Sequence, residues 1–233
     1  MSMEALLSPV FWEPFILTLK LAFLTTVCLF LVGIPIAYAL VFAKMRYKPL
    51  YEAAIAMPLV LPPSVLGFYF LLAFSKNGFL GSFWNDIFGH QLAFHFDGLV
   101  IGSIIFSFPF MVHPLMNGFK NIDTFQIEAA YTMGKSKLQT LFAVMLPAMK
   151  PSLITGGIIS FAHTVGEFGV VLMIGGNIDG ETKVASIAIY NEVEALNYSA
   201  AHAYSLILFA FSFFVLWLVY QKLGQEVKGS FNA

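Results

Sequence analysis

Charge is scarce in this chain of 233 residues: 11% of it is Asp, Glu, Lys or Arg, against 59% hydrophobic residues and 26 phenylalanines. Soluble domains carry about 25% charged residues. With a mean hydropathy of +0.82, the composition excludes an ordinary soluble domain and implies a polytopic membrane protein. The net charge of -1 leaves no electrostatic footprint for nucleic acid. Cysteine is nearly absent. Cys28 stands alone, so no intrachain disulfide can form, and inside an apolar run it reads as a small hydrophobe. Residues 1–14 hold Glu4 and Glu13 but no base. The positive region of a cleavable signal peptide is therefore missing, and the first apolar segment is expected to stay in the membrane. Familiar chemistry is missing as well. There is no G-x-x-x-x-G-K-[ST] phosphate loop, no H-E-x-x-H, no cysteine pair and no Ser-His-Asp order. The five histidines, His90, His95, His113, His163 and His202, are dispersed. His90 and His95 flank a loop, but no metal site is expected, and His113 reads as a packed or hydrogen-bonded side chain. The expectation is a chain without catalysis and without a cofactor of its own.

What is present is a series of long apolar runs. A spanning helix needs about 20 mostly apolar residues. Five segments qualify, near 15–43, 51–75, 98–119, 151–175 and 196–221, so the expected fold is an all-α membrane helical bundle forming a single domain over 1–233. Lys20 can snorkel from the outer end of the first run. Gly33 and Pro35 within it predict a kink. The second run carries Pro58, Pro62 and Pro63, and three prolines in six positions cannot sit in a regular helix because each removes a backbone donor. Broken backbone at membrane depth is tolerated where protein or a water-filled cavity covers it. This places the segment toward the bundle interior or a pathway, with a merely kinked helix as the alternative. The interval 76–97 is too polar and too punctuated to span, and suggests a loop with an interfacial segment. Pro109 and Pro114 predict a bend in the third run. Gly166-Glu167-Phe168-Gly169 lies inside the fourth. An acid at membrane depth costs a few kcal/mol and marks a functional site by default. Glu167 should face the bundle, either lining the pathway or pinning a neighbouring helix. The polar loop 177–194 holds a stretch, Val184 to Tyr190, that could re-enter the membrane or lie at its surface.

Nine of the twelve bases, Lys44, Arg46, Lys48, Lys120, Lys135, Lys137, Lys150, Lys222 and Lys228, fall on one side of a five-span chain. The positive-inside rule makes that side cytoplasmic, with the N-terminus outside and the C-terminus inside. The segment 120–150 is then a cytoplasmic loop. Within it, Ile127, Tyr131 and Leu138 form a sparse apolar stripe among Gln126, Lys135, Lys137 and Gln139. Such a helix is too short to span but can lie against a partner. Gly134 should end it, with Lys135 and Lys137 suited to a helix C-terminus. Helix chemistry alone leaves a solvated loop between two spans equally open.

The run from Glu128 to Pro147, EAAYTMGKSKLQTLFAVMLP, resembles the EAA loop of importer-type ABC permeases. That family's pattern is E-A-A, three residues, G, nine residues, then I-x-L-P. Here Glu128, Ala129, Ala130, Gly134, Leu146 and Pro147 match, and Val144 stands for Ile. The resemblance implies a coupling helix docked on an ATPase subunit, with Leu146 and Pro147 ending the loop. Two further stretches narrow it. MPLVLPPSVLGFYFLLAF, from Met57 to Phe74, and GEFGVVLMIGGNIDGETKVASIAIY, from Gly166 to Tyr190, resemble molybdate permeases, with Asp179 where those usually have Pro. The five-span length also resembles the molybdate type more than the longer sulfate permeases. The resemblance implies the type I ABC importer permease fold in a bacterial cytoplasmic (inner) membrane. It implies a homodimer around one pathway, two ATPase subunits that carry ATP and Mg, and a periplasmic or lipid-anchored molybdate-binding protein. In that picture Pro58, Pro62, Pro63, Gly166, Glu167 and Gly169 shape the pathway or its gate. The alternatives are tungstate or sulfate as cargo, or an ion-coupled secondary carrier using Glu167 as a proton site.

Overall fold

The computed structural model describes residues 8–231. Of the charges used above, Glu4 lies outside the described residues, as do the side chains of Lys222 and Lys228. The described chain is helical throughout, with no strand among its residues. The first helix, α1 (Pro9–Phe42), opens on a proline at its first position, where the missing N–H costs nothing. The second run is two helices, α2 (Lys48–Val60) and α3 (Pro63–Phe74), bent by 110° at the Leu61-Pro62 break. This is the interruption that the three prolines predict. The interfacial segment is α4 (Phe79–Phe88), ended by Gly89. The third run is α5 (Phe96–Lys120). The segment 120–150 folds as α6 (Thr124–Thr132) and α7 (Lys137–Ala148). Then come α8 (Lys150–Val165), α9 (Gly169–Gly175), α10 (Ala185–Glu194) and α11 (Tyr198–Phe231).

Among the described residues, α1, α5 and the Tyr198–Trp217 part of α11 are long and apolar enough to cross a membrane. Counting the bent pairs α2–α3 and α7–α8 as one span each gives up to five. Two expectations need correction. The segment 151–175 is not one helix: α8 stops at Val165 and α9 restarts at Gly169, because Gly166 and Glu167 leave the helical path. The helix α5 continues through Pro109 and Pro114. It is held on two sides, by α1 and by α8, so losing single backbone bonds does not end it. Finally, Leu146 and Pro147 do not close a loop. They lie in α7, where a π turn over Leu141–Met145 (Leu146 N–H to Leu141 O) precedes the proline. The helix ends instead at Met149, with a 76° bend into α8.

Lipid is as apolar as leucine, so helices in it associate by close packing rather than by water exclusion, and small residues mark the contacts. A Cβ on Gly156 would lie 3.1 Å from Met111 Sδ on α5, and one on Gly157 would lie 2.8 Å from Phe30 on α1. The core divides along α5. Toward its N-terminus, Leu99 and Phe106 pack with Leu17, Leu21, Phe74, Val170, Ile174 and Ile187. Toward its C-terminus, Met111, Leu115 and Phe119 pack with Leu29, Leu40, Met145 and Met149. At the N-terminal end Lys20 Nζ sits 4.4 Å from the centre of the Phe96 ring, the cation–π counterpart of the expected snorkel. The two ends of this 25-residue helix stand about 37 Å apart at 1.5 Å per residue. Each end carries a distinct set of candidate side chains.

Candidate functional site

At the C-terminal end of α5 the chain builds a rigid helix–turn–helix. Asp123 caps α6, its Oδ1 accepting from Phe125 N–H at 2.9 Å. The end of α6 is a Schellman motif: Lys135 N–H donates to Ala130 O and Gly134 N–H to Tyr131 O. That geometry needs a left-handed residue after the cap, and Gly134 supplies it with φ +77°. Two residues on, a capping box starts α7. Ser136 N–H donates to Gln139 Oε1 at 2.9 Å, and Gln139 N–H donates to Ser136 Oγ at 3.3 Å. No flexible residue is left between the helices.

The seven candidate coupling residues divide by burial. Ala130 is fully buried and Ala129, Val144 and Leu146 are half-buried, while Glu128, Gly134 and Pro147 are exposed. The expected stripe does not hold as one face. Ile127 packs on the core, Tyr131 points outward, and Leu138 lies beyond the turn on α7. What the segment offers outward is a different apolar set. Phe125, Met133, Leu138 and Phe142 are 73%, 70%, 69% and 63% exposed. A soluble surface does not usually carry four such side chains on one protruding segment. The S-x-x-Q box and the Asp cap were readable from the sequence, and the exposure of Phe125, Met133 and Phe142 was not.

The candidate gate residues lie higher along α5. Two helix breaks meet there. Pro63 opens α3 and Gly169 opens α9, and a Cβ on Gly169 would lie 2.8 Å from Pro63 Cβ. Beside this contact, Glu167 is buried at 4% exposure. Its Oε2 accepts from Ser103 Oγ at 2.8 Å, and its backbone carbonyl accepts from Ser186 Oγ at 2.7 Å. Its Oε1 is buried with no hydrogen-bond partner among the described residues. One turn along, Ser107 Oγ lies 2.9 Å from His163 Nδ1 and 3.1 Å from Thr164 Oγ1, and Thr164 donates to Ser160 O. His163 stacks on Phe110, with ring centroids 4.1 Å apart. So Glu167 faces the bundle as expected and ties α5, α8 and α10 at the point where α8 breaks. The structure brings Pro63, Gly166, Glu167 and Gly169 together. Pro62 flanks them, exposed at the bend. Pro58 stands apart, buried in an apolar groove of about 600 Å³ with Val32, Ile36, Ile104 and Phe108. Ser103 and Ser107 escaped the sequence reading, although two hydroxyls four residues apart on an apolar helix share one face and signal a polar seam.

Against this geometry stand the comparisons with known proteins. A family profile described as "Binding-protein-dependent transport system inner membrane component" matches residues 29–221. The chain is 46% identical, over 206 residues, to the molybdenum transport system permease protein ModB of Azotobacter vinelandii, covering 88% of this chain and 91% of that one. Among solved structures, it resembles a chain of the MetNI methionine ABC transporter in an inward-facing conformation. The TM-score is 0.71 at 18% identity, over 97% of this chain and 99% of that one. It also resembles a chain of a bacterial alginate ABC transporter in complex with an alginate-bound periplasmic protein. There the TM-score is 0.75 at 16% identity, over 95% and 82% of the two chains. At such identities the two structures show a shared fold, that of ABC importer permeases, while the profile and the ModB relative carry kinship. This chain belongs to the family of binding-protein-dependent transport system inner membrane components, the multi-pass permeases of ABC transporters.

Proposed function

We propose that this chain is the membrane-spanning subunit of an ATP-binding-cassette importer that carries molybdate into the cytoplasm. The cargo reading rests on the ModB relative and on the two stretches from Met57 to Phe74 and from Gly166 to Tyr190. The coupling reading is carried by one observation: a rigid, capped helix–turn–helix that projects Phe125, Met133, Leu138 and Phe142 at the bundle end bearing the bases. In this reading two copies of the chain enclose one pathway. Each coupling segment docks on an ATPase subunit, which carries the ATP and Mg that this chain does not hold. A separate binding protein delivers molybdate to the opposite face. The basic side is cytoplasmic, with the N-terminus outside and the C-terminus inside. Glu128, Ala129, Ala130 and Gly134 shape the docking helix, with Val144, Leu146 and Pro147 in the helix that returns to the bundle. The abutting breaks at Pro62-Pro63 and at Gly166-Glu167-Phe168, closed by Gly169, act as the gate, with Pro58 on the helix leading into it.

The test is reconstitution in proteoliposomes with the ATPase subunit and the oxyanion-binding protein. Labelled molybdate should accumulate only with ATP, and excess sulfate should not compete. Competition by tungstate would widen the cargo to both anions. Anion uptake driven by a proton gradient, with no ATPase subunit present, would overturn the reading.

A further inference from the structure

The opposite end of α5 carries a cluster that transport coupling does not use. Here the segment after α4 folds back over the start of α5. It is tied down by Ala93 N–H to Phe74 O and Phe94 N–H to Ile174 O, with Phe94 at φ +63°. This brings His90, His95 and Asp97 together, and one ligand atom from each lies within 4.8 Å of the others. Glu181, from the turn between α9 and α10, adjoins the group on the His95 side, its Oε1 2.9 Å from His95 Nδ1.

The hydrogen bonding around these side chains is that of metal ligands. His90 Nδ1 lies 3.2 Å from Phe88 O. A carbonyl can only accept, so Nδ1 carries the proton, and in a neutral ring Nε2 then presents its lone pair. This nitrogen stands 3.0 Å from Asp97 Oδ2 and accepts the Trp84 indole N–H at 3.3 Å, a bond that a coordinated ion would replace. Two acceptors face each other at about the separation of adjacent ligands on one cation, given metal–ligand distances near 2.0–2.2 Å. A backbone carbonyl holding the far ring nitrogen is the usual outer support of a ligating histidine. Glu181 is held in the same way, its Oε1 accepting from Phe96 N–H at 3.0 Å. That oxygen lies off the hydrogen-bonding direction of His95 Nδ1, which is left buried and without a hydrogen-bond partner. A polar cleft of about 380 Å³, lined by Asn85, Gln91 and Lys76 among others, reaches the two histidines.

We propose that His90, His95, Asp97 and Glu181 form a site for a borderline divalent transition metal of the zinc class. Two imidazoles and two carboxylates suit such an ion better than magnesium or calcium, which prefer all-oxygen shells. The bound ion joins the segment before α5 to the turn before α10, at the face opposite the coupling segment. The inference stands on local geometry and holds whichever anion is carried.

The experiment uses the full-length chain in detergent, free of any affinity tag, stripped with chelator and titrated with Co²⁺, whose visible absorption reports nitrogen and oxygen coordination. One equivalent per chain should bind in the micromolar range and be displaced by Zn²⁺. His90→Gln and Asp97→Asn should each weaken binding by about tenfold or more, while His202→Gln, outside the cluster, should not. Absence of a saturable band up to about 1 mM Co²⁺, well above the range of protein sites, would overturn the proposal. So would an unchanged affinity in both cluster variants. Should a variant fail to fold, the wild-type titration and its competition by Zn²⁺ still decide. Protonated His–carboxylate pairs without metal affinity would appear as the first of the overturning outcomes.

Discussion

Glu167 holds its place through a hydroxyl 64 residues away. Ser103 gives the carboxylate its only hydrogen bond among the described residues, and both groups are buried. Removing one partner of a buried pair leaves the other unsatisfied, at about 1–3 kcal/mol. Glu167→Ala should therefore lower the thermal midpoint of the detergent-solubilised chain. Glu167→Gln, which keeps an acceptor for Ser103, should cost clearly less. Equal losses in the two variants, measured by thermal scanning, would mean that the hydrogen bond is not what pins the break. The sequence singles out Glu167 because an acid in an apolar run has to be accounted for. It does not pair Ser103 with Glu167, since nothing local records which distant hydroxyl a fold will bring alongside. Gly134 is the opposite case, fully legible from its neighbours. No atom lies within 4 Å of where its Cβ would be, so Gly134→Ala acts through backbone conformation alone. A left-handed alanine costs about 1–2 kcal/mol, and asparagine, which tolerates that region, costs less. The expected order for transport per ATP hydrolysed is wild type, then Gly134→Asn, then Gly134→Ala.

Among the elements, the two breaks show why helix ends were readable in one case and missed in the other. Proline has no N–H, and three in six positions leave a helix no regular path, so the bend between α2 and α3 follows from chemistry within the segment. Glycines in an apolar run fit two readings equally, a break or a tight helix contact. Gly156 and Gly157 are tight contacts, and Gly166 is a break. Only the surroundings decide between them, and 151–175 read from sequence as one span. The prolines of α5 do not end it, because support from α1 and α8 outweighs the lost bonds. The meeting of α3 with α9 gives a test at this level. A Cβ on Gly67 would lie 2.8 Å from Met173 Cβ and one on Gly169 equally close to Pro63 Cβ. Gly67→Val or Gly169→Val should wedge the two helices apart. Transport should fall by about tenfold or more, the scale of 1–3 kcal/mol of overpacking, while the ATPase subunit, at the far end, stays bound. Detachment of the ATPase in either variant would argue against a local gate.

Over the whole molecule, apolar side chains face outward in two settings that ask for different partners. Those of α11, such as Phe209, Phe213 and Phe214, belong to a helix long enough to cross the bilayer, where lipid or a second subunit covers them. Phe125, Met133, Leu138 and Phe142 sit on α6, at its cap and at the start of α7, beside Lys135 and Lys137, at the end of the bundle where the bases gather. Lipid cannot cover them if that end faces the cytoplasm, and this makes orientation the hinge of the functional reading. Cys28 is the chain's one cysteine, so Cys28→Ala gives a background in which single cysteines report sidedness. A cysteine at Lys135 should resist a membrane-impermeant maleimide in intact spheroplasts and react in inverted vesicles, and one at Lys76 should show the reverse. Docking then predicts that the ATPase subunit protects Lys135→Cys from labelling in inverted vesicles but leaves Lys76→Cys unaffected. Burying aspartate in such a contact leaves a charge unpaired, so Phe125→Asp with Met133→Asp should release the ATPase, with affinity lower by about a hundredfold for 2–4 kcal/mol at the contact's centre. The chain itself should remain inserted. Labelling of Lys135→Cys from outside the cell would reverse the topology and leave these four side chains with no ATPase to meet.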